Sequence, residues 1–475
     1  MVIIEIHPKD AEAITRDRLV IEVIKKATSF YSQNYERTDA YQLYLMTNGK
    51  RGWDGKRRLY RTTRDGVVFP AGLASRVIRR LKAKGIAVDL QSPFNSPGLS
   101  LWPAFAASVK LNGIEELRPY QKRALLACLE KGRGVLDLAT NAGKTEVAAS
   151  LIQALGHPQT LWVCCGTVKL ARQTRERLET RLDLPVGIAG GGELEFGSIV
   201  VGMPRTLQTK PEVQPFMDEA ELVIIDECHH AASKTVSDVL KRCSNAYRRI
   251  GLSGTPFKRQ DNQNIVVEGL IGPTICKVTN DYLIKGGYSA NPFVFIHTIN
   301  EPVISGSSWG AVYKGGIVNN SLRNEMIIDL ALEKASKGEK TLITVFEIEQ
   351  GKNLCRSLRK KDAVEYGYGF IYGDQDPATQ DQLQHYFENG DILILIASPV
   401  LGEGIDFDTA IDNLIVGDAK KAPIALIQRA GRALRKGSRR LEIHDFADCT
   451  DDNLATHSMS RIKTYEGQKF LVEVL

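Results

Sequence analysis

Apolar runs alternate with amphipathic stretches through the middle of the chain. Between about residues 118 and 280, five short apolar runs are predicted as strands: GVLDL, TLWVCC, SIVVGM, LVIIDE and RRIGLSG. Two longer stretches between them, TEVAASLIQALG and VKLARQTRERLETRL, have the spacing of helices. Strands that alternate with helices predict a parallel sheet covered by helices.

A second series of the same kind starts at about residue 340. Its predicted strands are KTLITVF, GFIYG, DILILIAS, NLIVGD and LEIHDF, and its helical stretches include EQGKNLCRSLRKK and PIALIQRAGRALRKG. Two α/β units of similar size are therefore expected in tandem. Gly286, Gly287 and Pro292 interrupt the periodicity of IKGGYSANP, which predicts a hinge within 284–292.

The first hundred or so residues do not follow this alternation. The segment SPFNSPGLSLWP, residues 92–103, is rich in Pro, Ser and Gly and is predicted as a linker. We therefore expect three domains, at 1–108, 109–286 and 287–475.

Positive charge is concentrated in the first of these domains. The segment from Lys50 to Lys84 has twelve basic and two acidic residues, a net charge of +10, so the rest of the chain is slightly acidic within the total of +6. Within it, NGKRGWDGKRRLYRTTRDG interleaves Trp53 and Tyr60 with Arg and Lys, and is predicted as a small β unit with glycine turns. A helix, AGLASRVIRRLKAKG, is predicted to follow.

Composition narrows the possible classes of protein. The 475 residues are 43% hydrophobic and 25% charged, which is ordinary for a globular protein of two or three domains. The sequence has no apolar run of the roughly 18 residues that span a bilayer, and the N-terminus lacks a basic signal-peptide start. A soluble protein that stays in the cytoplasm is expected. The eight cysteines include no C-x-x-C pair, so they predict neither a zinc site nor a disulfide framework.

The stretch GRGVLDLATNAGKTEVAA indicates a nucleotide site. Gly143, Lys144 and Thr145 follow a predicted buried strand and begin a predicted helix. In that context backbone N–H groups surround a β-phosphate, the lysine reaches the β- and γ-phosphates, and the threonine hydroxyl binds Mg²⁺. A helix start that only looks like such a loop is the alternative, because Leu138 stands where one form of this loop has a glycine.

A pair of carboxylates strengthens the nucleotide hypothesis. In ELVIIDECHH, four apolar residues lead into Asp226 and Glu227, as expected of a buried strand that brings acids to its carboxyl end. Asp226 is then the candidate metal ligand, and Glu227 the group that orients or deprotonates the attacking water. A strand that ends in solvated acids is the alternative.

The Gly-Lys-Thr loop followed by the Asp-Glu pair resembles the motif order of superfamily 2 helicases of the DExH type. Within that family, the pattern is most similar to that of phage helicases that remodel DNA. The resemblance covers roughly residues 118–435. ATNAGKT departs from the usual first motif at Asn141, which is a mild change because Asn tolerates positive φ. The resemblance implies an α/β fold with two tandem RecA-like parallel-sheet domains behind a small basic α+β N-terminal domain. It also implies ATP and Mg²⁺ as cofactors.

The resemblance also assigns residues of the first unit. Nucleotide binding is implied for the adenine-contacting motif LRPYQ and for the Gly-Lys-Thr loop, at Arg118, Gln121, Thr140, Asn141, Ala142, Gly143, Lys144 and Thr145. GTVKLARQ and PRTLQ resemble motifs at the nucleic-acid backbone, which implicates Thr167, Gln173 and Thr206, although ordinary helix capping would also explain them. DECHH and LSGTP imply that hydrolysis is coupled to the DNA track through His229, Ser253 and Thr255.

Two motifs of the second unit complete the resemblance. SPVLGEGIDF resembles motif V and QRAGRALR resembles motif VI, which implies nucleotide contacts from Gly404, Asp406 and Gln428. Phosphoryl transfer spreads negative charge over the γ-oxygens, and an arginine finger stabilises that charge. Arg435 is the first candidate for the finger and Arg432 the second.

The basic segment is expected to bind DNA through Arg57, Arg58 and Arg61. Contacts from Arg to phosphates give affinity without sequence information and make binding sensitive to salt. A solvated basic face is the alternative. The whole pattern predicts a monomeric ATP-dependent DNA helicase or translocase that acts on branched or forked DNA in replication, recombination or repair. An RNA-remodelling helicase and a non-catalytic DNA-binding scaffold are the alternatives.

Overall fold

The computed structural model of the protein describes residues 1–93, 109–139, 142–254, 256–257, 261–289, 292–302, 308–398, 411–420 and 441–475. They form two compact units, one drawn from Met1–Ala139 and Gly143–Val278 and one that contains Thr279–Leu475. The change of unit at Val278–Thr279 lies upstream of the boundary expected after residue 286, and the division into three domains stays a prediction.

The first unit begins with a five-stranded sheet in the order β5-β6-β2-β1-β7. Strands β1 and β7 are parallel, the other neighbours are antiparallel, and β3 and β4 form a separate antiparallel pair. Buried Ile4, Ile24, Val67 and Val77 belong to one apolar core that joins this sheet to its helices. The elements are β1 Val2–Ile6, β2 Asp10–Ile14, α1 Arg18–Ala27, β3 Ser29–Tyr31, α2 Asp39–Met46, β4 Lys56–Arg58, β5 Arg61–Thr62, β6 Gly66–Pro70, α3 Ala74–Lys82 and β7 Val88–Gln91.

The rest of the first unit is built on an eight-stranded sheet in the order β11-β10-β12-β9-β13-β14-β8-β15. Only β11 runs antiparallel to its neighbour. Its central strands are buried along their length, because they consist almost wholly of apolar residues. The strands are β8 Arg133–Leu138, β9 Thr160–Cys164, β10 Gly187–Gly190, β11 Glu193–Glu195, β12 Ile199–Gly202, β13 Leu222–Asp226, β14 Arg248–Ser253 and β15 Thr274–Val278.

Helices connect these strands and bury apolar side chains against them. Val236 and Val239, for example, share one core with Val223 and Ile225 of β13. The helices are α4 Pro119–Lys131, α5 Lys144–Ala154, α6 Val168–Leu182, α7 Pro204–Thr209, α8 Gln214–Glu219, α9 Lys234–Arg242 and α10 Asn264–Leu270.

The second unit contains a seven-stranded sheet in the order β18-β19-β17-β20-β21-β16-β22, with every pair parallel. Two apolar cores include residues of this sheet. The strands are β16 Phe293–Ile299, β17 Thr341–Thr344, β18 Tyr368–Ile371, β19 Ile394–Ala397, β20 Asn413–Val416, β21 Glu442–Asp448 and β22 Leu471–Val474. The helices are α11 Asn280–Lys285, α12 Trp309–Tyr313, α13 Ser321–Ala335, α14 Ile348–Lys360, α15 Pro377–Asn389 and α16 Asp452–Gly467.

The structure confirms the α/β class and the two parallel-sheet units predicted from the sequence. All ten strands of the two predicted series are present. Among the described residues, the pattern did not predict the other five strands of the two sheets: β10, β11, β15, β16 and β22. Of these, β10 has the short sequence GIAG, which begins and ends with glycine, and β16 lies beside the predicted hinge. The predicted helix at 423–437 lies outside the described residues, as does most of the predicted linker at 92–103.

The N-terminal sheet packs against helix α10 of the same unit. Arg76 donates to Glu268 Oε2 from Nε at 2.9 Å and from Nη2 at 2.5 Å, and Glu268 is buried. Ile265 of α10 belongs to the N-terminal apolar core. A Cβ on Gly72 would lie 2.0 Å from the Glu268 carbonyl oxygen, so this approach requires glycine. Residues 1–93 therefore have their own sheet but share part of their core with the eight-stranded portion.

In the described part of the chain, no helix combines the length and the apolar character needed to cross a bilayer. The eight cysteines are all free thiols.

Candidate nucleotide-binding site

The Gly-Lys-Thr loop ends at helix α5. Gly143 is the N-cap residue and has φ +75°, in the left-handed region that favours glycine. Lys144 is the first residue of the helix, and Lys144 and Thr145 are both partly exposed. Ala142 is buried. The loop thus presents a helix N-terminus, which suits an anion, at the end of a buried strand.

The motif LRPYQ lies at the start of α4, beside this loop. The Arg118 N–H donates to Gln121 Oε1 at 2.9 Å, and the Arg118 guanidinium donates to the Tyr120 hydroxyl at 2.9 Å. Gln121 is buried, and a Cβ on Gly143 would lie 2.3 Å from its Nε2. The structure therefore brings Gln121 against the Gly-Lys-Thr loop.

Two carboxylates lie at the carboxyl end of β13. Asp226 is the last residue of the strand and pairs in register with Cys164 and Leu252 of the neighbouring strands. The Glu227 N–H donates to Asp226 Oδ1 at 3.0 Å. Glu227 has φ +45°, a strained value for a residue other than glycine. This turn directs the chain away from the sheet immediately after the pair.

The Glu227 carboxylate connects three of the predicted motifs. Its Oε1 lies 3.6 Å from Lys144 Nζ. Its Oε2 accepts a hydrogen bond from Ser253 Oγ at 3.2 Å and lies 3.4 Å from His229 Nδ1. His229 Nδ1 is also 3.4 Å from Ser253 Oγ. Lys144, Glu227, His229 and Ser253, which we call the Glu227 cluster, therefore meet at one edge of the sheet.

The thiols next to these carboxylates are not candidate nucleophiles. Burial, together with the charge of Asp226, raises the pKa of Cys164 to about 12. Burial also raises the pKa of Cys165 and of Cys228 well above the usual value, and nearby carboxylates act in the same direction. All three thiols are therefore protonated at neutral pH, and the polar chemistry of the site belongs to the Glu227 cluster and Asp226.

The predicted nucleic-acid contacts of the first unit lie on two helices. Thr167 caps α6, and its hydroxyl accepts from the Leu170 N–H at 3.2 Å. Gln173 is half-buried on the same helix, and its Oε1 has no hydrogen-bond partner among the described residues. Thr206 is half-buried on α7. Helix capping explains the position of Thr167, and the DNA contacts of all three stay predictions.

The three basic candidates of the N-terminal domain are all exposed. Arg57 and Arg58 lie on β4, and Arg61 lies on β5. The Arg58 guanidinium donates to both Asp54 carboxylate oxygens, at 3.1 and 2.5 Å. Burial acts to raise the pKa of Asp54, but hydrogen bonds from Arg58 and from the Lys56 N–H outweigh it and lower that pKa. Asp54 is therefore ionised and compensates much of the Arg58 charge.

The remaining site predictions lie outside the described residues: Thr140, Asn141, Thr255, Gly404, Asp406, Gln428, Arg432 and Arg435.

Sequence reasoning missed a buried ion network in the second unit. Arg323 Nε donates to Asp448 Oδ1 at 2.7 Å, and Arg461 Nε donates to Asp445 Oδ2 at 2.9 Å. These four side chains are at most 1% exposed. Arg323 Nη1 also donates to the Gly417 carbonyl, and Arg461 Nη1 donates to that of Ala419, both at 2.8 Å. The network supports the loop that precedes motif VI, and the two acids at 445 and 448 among the apolar residues of β21 are the one signal that could have indicated it.

Two parallel-sheet units, the first with a Gly-Lys-Thr loop and an Asp-Glu pair at the carboxyl ends of its strands, are the architecture of a P-loop nucleoside triphosphatase. Two family profiles match the chain: Type III restriction enzyme, res subunit, over residues 114–258, and Helicase conserved C-terminal domain, over residues 322–437. They confirm the resemblance to superfamily 2 helicases.

Curated relatives extend the similarity to most of the chain. The ATP-dependent DNA helicase uvsW of Enterobacteria phage T4 is 25% identical over 88% of this chain and 89% of its own length. The DNA 3'-5' translocase XPB2 of Sulfurisphaera tokodaii is 26% identical over 68% of this chain and 79% of its own length. The similarity to the phage protein thus reaches well beyond the two helicase profiles.

Solved structures support the fold. The type ISP restriction-modification enzyme LlaBIII bound to DNA aligns with a TM-score of 0.58 at 14% identity, over 76% of this chain and 31% of that chain. Dbp5 of S. cerevisiae bound to RNA and ADP BeF3 aligns with a TM-score of 0.54 at 18% identity, over 80% of this chain and 94% of that chain. At these identities the likeness shows the fold alone.

Proposed function

We propose that the chain is an ATP-dependent DNA helicase or translocase that remodels branched DNA, by branch migration, fork regression or unwinding. The observation that carries this proposal is the Glu227 cluster, which joins the motifs at Lys144, Glu227 and Ser253 within hydrogen-bonding or ion-pair distance. Two relatives named as a DNA helicase and a DNA translocase support DNA as the substrate.

Each member of the cluster has a role in hydrolysis that its chemistry supports. Lys144 binds the β- and γ-phosphate oxygens, and Glu227 orients or deprotonates the attacking water. Ser253 and His229 contact Glu227 Oε2, so a change at the LSGTP motif, which contains Ser253, reaches the proposed general base directly. Gln121, packed on the loop, fits a role in nucleotide contact.

Thr145 and Asp226 are the proposed ligands of Mg²⁺. Among the described residues no group of three or more His, Cys, Asp or Glu side chains could hold a metal ion. Mg²⁺ in phosphoryl-transfer sites takes one or two protein ligands along with phosphate oxygens and waters, so a carboxylate and a hydroxyl suffice. When bound, the ion would neutralise charge that develops on the phosphates.

The second unit is proposed to complete the catalytic machinery. Gly404, Asp406 and Gln428 are the proposed nucleotide contacts, and Arg435, with Arg432 as second candidate, is the proposed arginine finger. Their support is the order and spacing of motifs V and VI, within or next to a stretch that matches a helicase C-terminal domain. Before motif VI, the carbonyls of Gly417 and Ala419 accept hydrogen bonds from Arg323 and Arg461, respectively.

Residues 1–108 are proposed as the domain that holds branched or duplex DNA, in front of motor domains at 109–286 and 287–475. The exposed Arg57 and Arg61 support phosphate contacts, with Arg58 a weaker candidate because of its bond to Asp54. Thr167, Gln173 and Thr206 are proposed contacts to the tracked strand. A monomer is the proposed working form.

An ATPase assay with and without DNA tests the function. We expect hydrolysis by the full chain to be stimulated by forked DNA and by Holliday junctions more than by RNA of the same length. Lys144→Ala is expected to abolish hydrolysis and leave DNA binding intact, because it removes the cation at the phosphates. Hydrolysis by Lys144→Ala at the parent rate would refute the loop assignment. Stronger stimulation of the parent by RNA than by DNA would favour an RNA-remodelling enzyme. Absence of any ATPase activity in the parent would indicate a non-catalytic scaffold.

A further inference from the structure

Four tyrosines form a row on the N-terminal domain, beside the basic segment. Tyr31 and Tyr35 stack with ring centroids 4.7 Å apart. Tyr35 meets Tyr41 edge to face at 4.8 Å, and Tyr41 stacks with Tyr44 at 6.2 Å. Tyr31, at one end of the tyrosine row, is 44% exposed, and the other three are partly exposed. The row lies outside the apolar core of the N-terminal sheet, so core packing does not explain it.

Three glycines allow the loop at residues 49–55 to run close to the tyrosine row. Gly49, Gly52 and Gly55 all have positive φ. A Cβ on Gly55 would lie 2.0 Å from Tyr35 Cδ2, one on Gly52 would lie 2.6 Å from the Tyr44 N, and one on Gly49 would lie 3.3 Å from the Tyr44 ring. The chain can therefore run this close to the rings only with glycine at Gly52 and Gly55. This contact explains the glycine spacing in NGKRGWDGKRR.

The same contact brings positive charge to the exposed end of the row. Strands β3 and β4 pair Tyr31 with Lys56, and the Lys56 ammonium lies 5.0 Å from the Tyr31 ring centroid. Arg58 is on the same face of β4 as Lys56, because side chains two residues apart in a strand share a face. Trp53 Nε1 donates to the Lys56 carbonyl at 2.8 Å and fixes the start of the strand. The exposed Tyr31 ring and the Lys56 ammonium thus lie together on one small surface.

We propose that the tyrosine row stacks unpaired bases of a DNA strand, with Tyr31 as the principal contact. This inference rests on the proposed DNA-binding function and specifies which part of a branched substrate the N-terminal domain recognises. Proteins that bind single strands combine aromatic platforms for bases with cations for the backbone, which is the combination seen at Tyr31 and Lys56. A base on Tyr31 takes the position of the Lys56 ammonium, which then pairs with the adjacent phosphate.

Branched DNA is where this chemistry is useful. Paired bases hide their faces inside the duplex, whereas bases at a fork or junction are free to stack on a protein ring. Phosphate contacts alone do not distinguish a fork from a duplex. The exposed Leu45 and Met46 of α2 add apolar surface near Tyr44.

The test measures binding of the full chain, without ATP, to three labelled DNAs: a duplex with a single-stranded tail, the same duplex with an abasic tail, and a blunt duplex. The parent is expected to bind the normal tail more tightly than the abasic tail, because the backbone contacts are the same in both. Tyr31→Ala is expected to weaken binding to the normal tail by about tenfold, because it removes the ring on which one base stacks. Binding to the abasic tail should not change.

Matched variants separate stacking from folding. Tyr31→Phe keeps the ring and is expected to bind as the parent does. Tyr386→Ala removes a comparably exposed tyrosine of the second unit, at 39% exposure, and should have no effect. A 2-aminopurine in the tail should lose fluorescence on binding to the parent and to Tyr31→Phe but not to Tyr31→Ala.

The outcomes distinguish this inference from the function on which it rests. Equal preference for the normal over the abasic tail in the parent and in Tyr31→Ala overturns the stacking role. An equal loss on all three DNAs also overturns it, because the ring then only supports the fold. If charge reversal of Arg57 and Arg61 still lowers the salt dependence in either case, the proposed DNA-binding domain stands without the tyrosine row. If it does not, that domain assignment fails as well.

Discussion

At the scale of single residues, Glu227 is the side chain that contacts the other three members of the Glu227 cluster. Its two oxygens have different partners: Oε1 is near the Lys144 ammonium, and Oε2 is held by Ser253 and near His229. The two partners of Oε2 lie on β14 and after β13, so their position depends on the sheet rather than on the bound phosphate. The sheet thereby orients the carboxylate.

Glu227→Gln is expected to bind ATP but to hydrolyse it at least about a hundredfold more slowly, because an amide can accept the Ser253 hydrogen bond but cannot accept a proton. Steady-state ATPase rates with saturating DNA, together with a nucleotide-binding isotherm, measure the two effects separately. Glu221→Gln, at the exposed residue before the same strand, is the control and should behave as the parent. Undiminished turnover in Glu227→Gln would remove Glu227 from the catalytic role.

The sequence predicted the candidate residues of the ATP site but could not predict their distances. Lys144 and Glu227 were identified because each follows an apolar strand with a recognisable spacing. Their contact depends on the strand order β13-β14-β8, which no local pattern encodes. The tyrosine row was missed for a related reason: Tyr31, Tyr35 and Tyr44 come from a strand, a 3₁₀ turn and a helix, so they share no period.

At the scale of elements, the buried ion network joins α16 and α13 to β21. Arg461 donates from Nη2 to the Phe446 carbonyl at 2.6 Å, in addition to its bonds with Asp445 and Ala419. Tyr465, one turn further along α16, donates to Asp445 Oδ2 at 2.7 Å. A charged group this deeply buried is tolerated because nearly every donor is paired. The network therefore fixes the direction in which α16 crosses the sheet.

Arg461→Met is expected to lower the free energy of local opening of α16 and β21 by about 3–5 kcal/mol, because it leaves Asp445 and Asp448 buried without one of their cations. Hydrogen exchange of the amides in 442–448 and 452–467, followed by mass spectrometry, measures the loss for these elements alone. Arg356→Met, at an exposed position of α14, should change protection by no more than about 0.5 kcal/mol. Equal protection in the two variants would show that the network adds no net stability.

The sequence pattern predicted these elements better than the contacts that orient them. LEIHDF was predicted as a strand because it is one of the apolar runs of the second series, and β21 extends over Glu442–Asp448. The acids at 445 and 448 are the residues that a pattern based on burial assigns to solvent. Their burial depends on Arg323, which lies about a hundred residues earlier in the chain, and on Arg461, which lies in the helix that follows β21.

At the scale of the whole molecule, positive charge is concentrated in one segment, because residues 50–84 have a net charge of +10 within a total of +6. Reversal of Arg57 and Arg61 to Glu is expected to weaken binding to duplex and branched DNA, with a smaller slope of log affinity against log salt. Each phosphate contact that is lost removes about 0.9 from that slope. Arg58 is left unchanged because its charge is already compensated by Asp54. Binding titrations at several salt concentrations provide the measurement.

The matched control reverses two residues of α14 in the second unit, Arg356 and Arg359, to Glu. It changes the net charge by the same amount as the reversal of Arg57 and Arg61. Both residues are exposed. If the two double variants alter the slope equally, the effect comes from net charge, and residues 57 and 61 have no special position. An unchanged slope in the N-terminal variant would show that the basic segment is a solvated face that makes no phosphate contacts.

The packing of the N-terminal sheet on α10 limits where the chain can be cut. A fragment that begins at residue 109 loses Arg76 as the partner of Glu268 and exposes Ile265 to water. It also loses the Pro8 carbonyl, which accepts from Arg133 at 3.3 Å. Such a fragment carries an apolar face and is expected to self-associate. Purification of a stable ATPase core therefore requires that residues 1–93 be kept, or that the face on α10 be made polar.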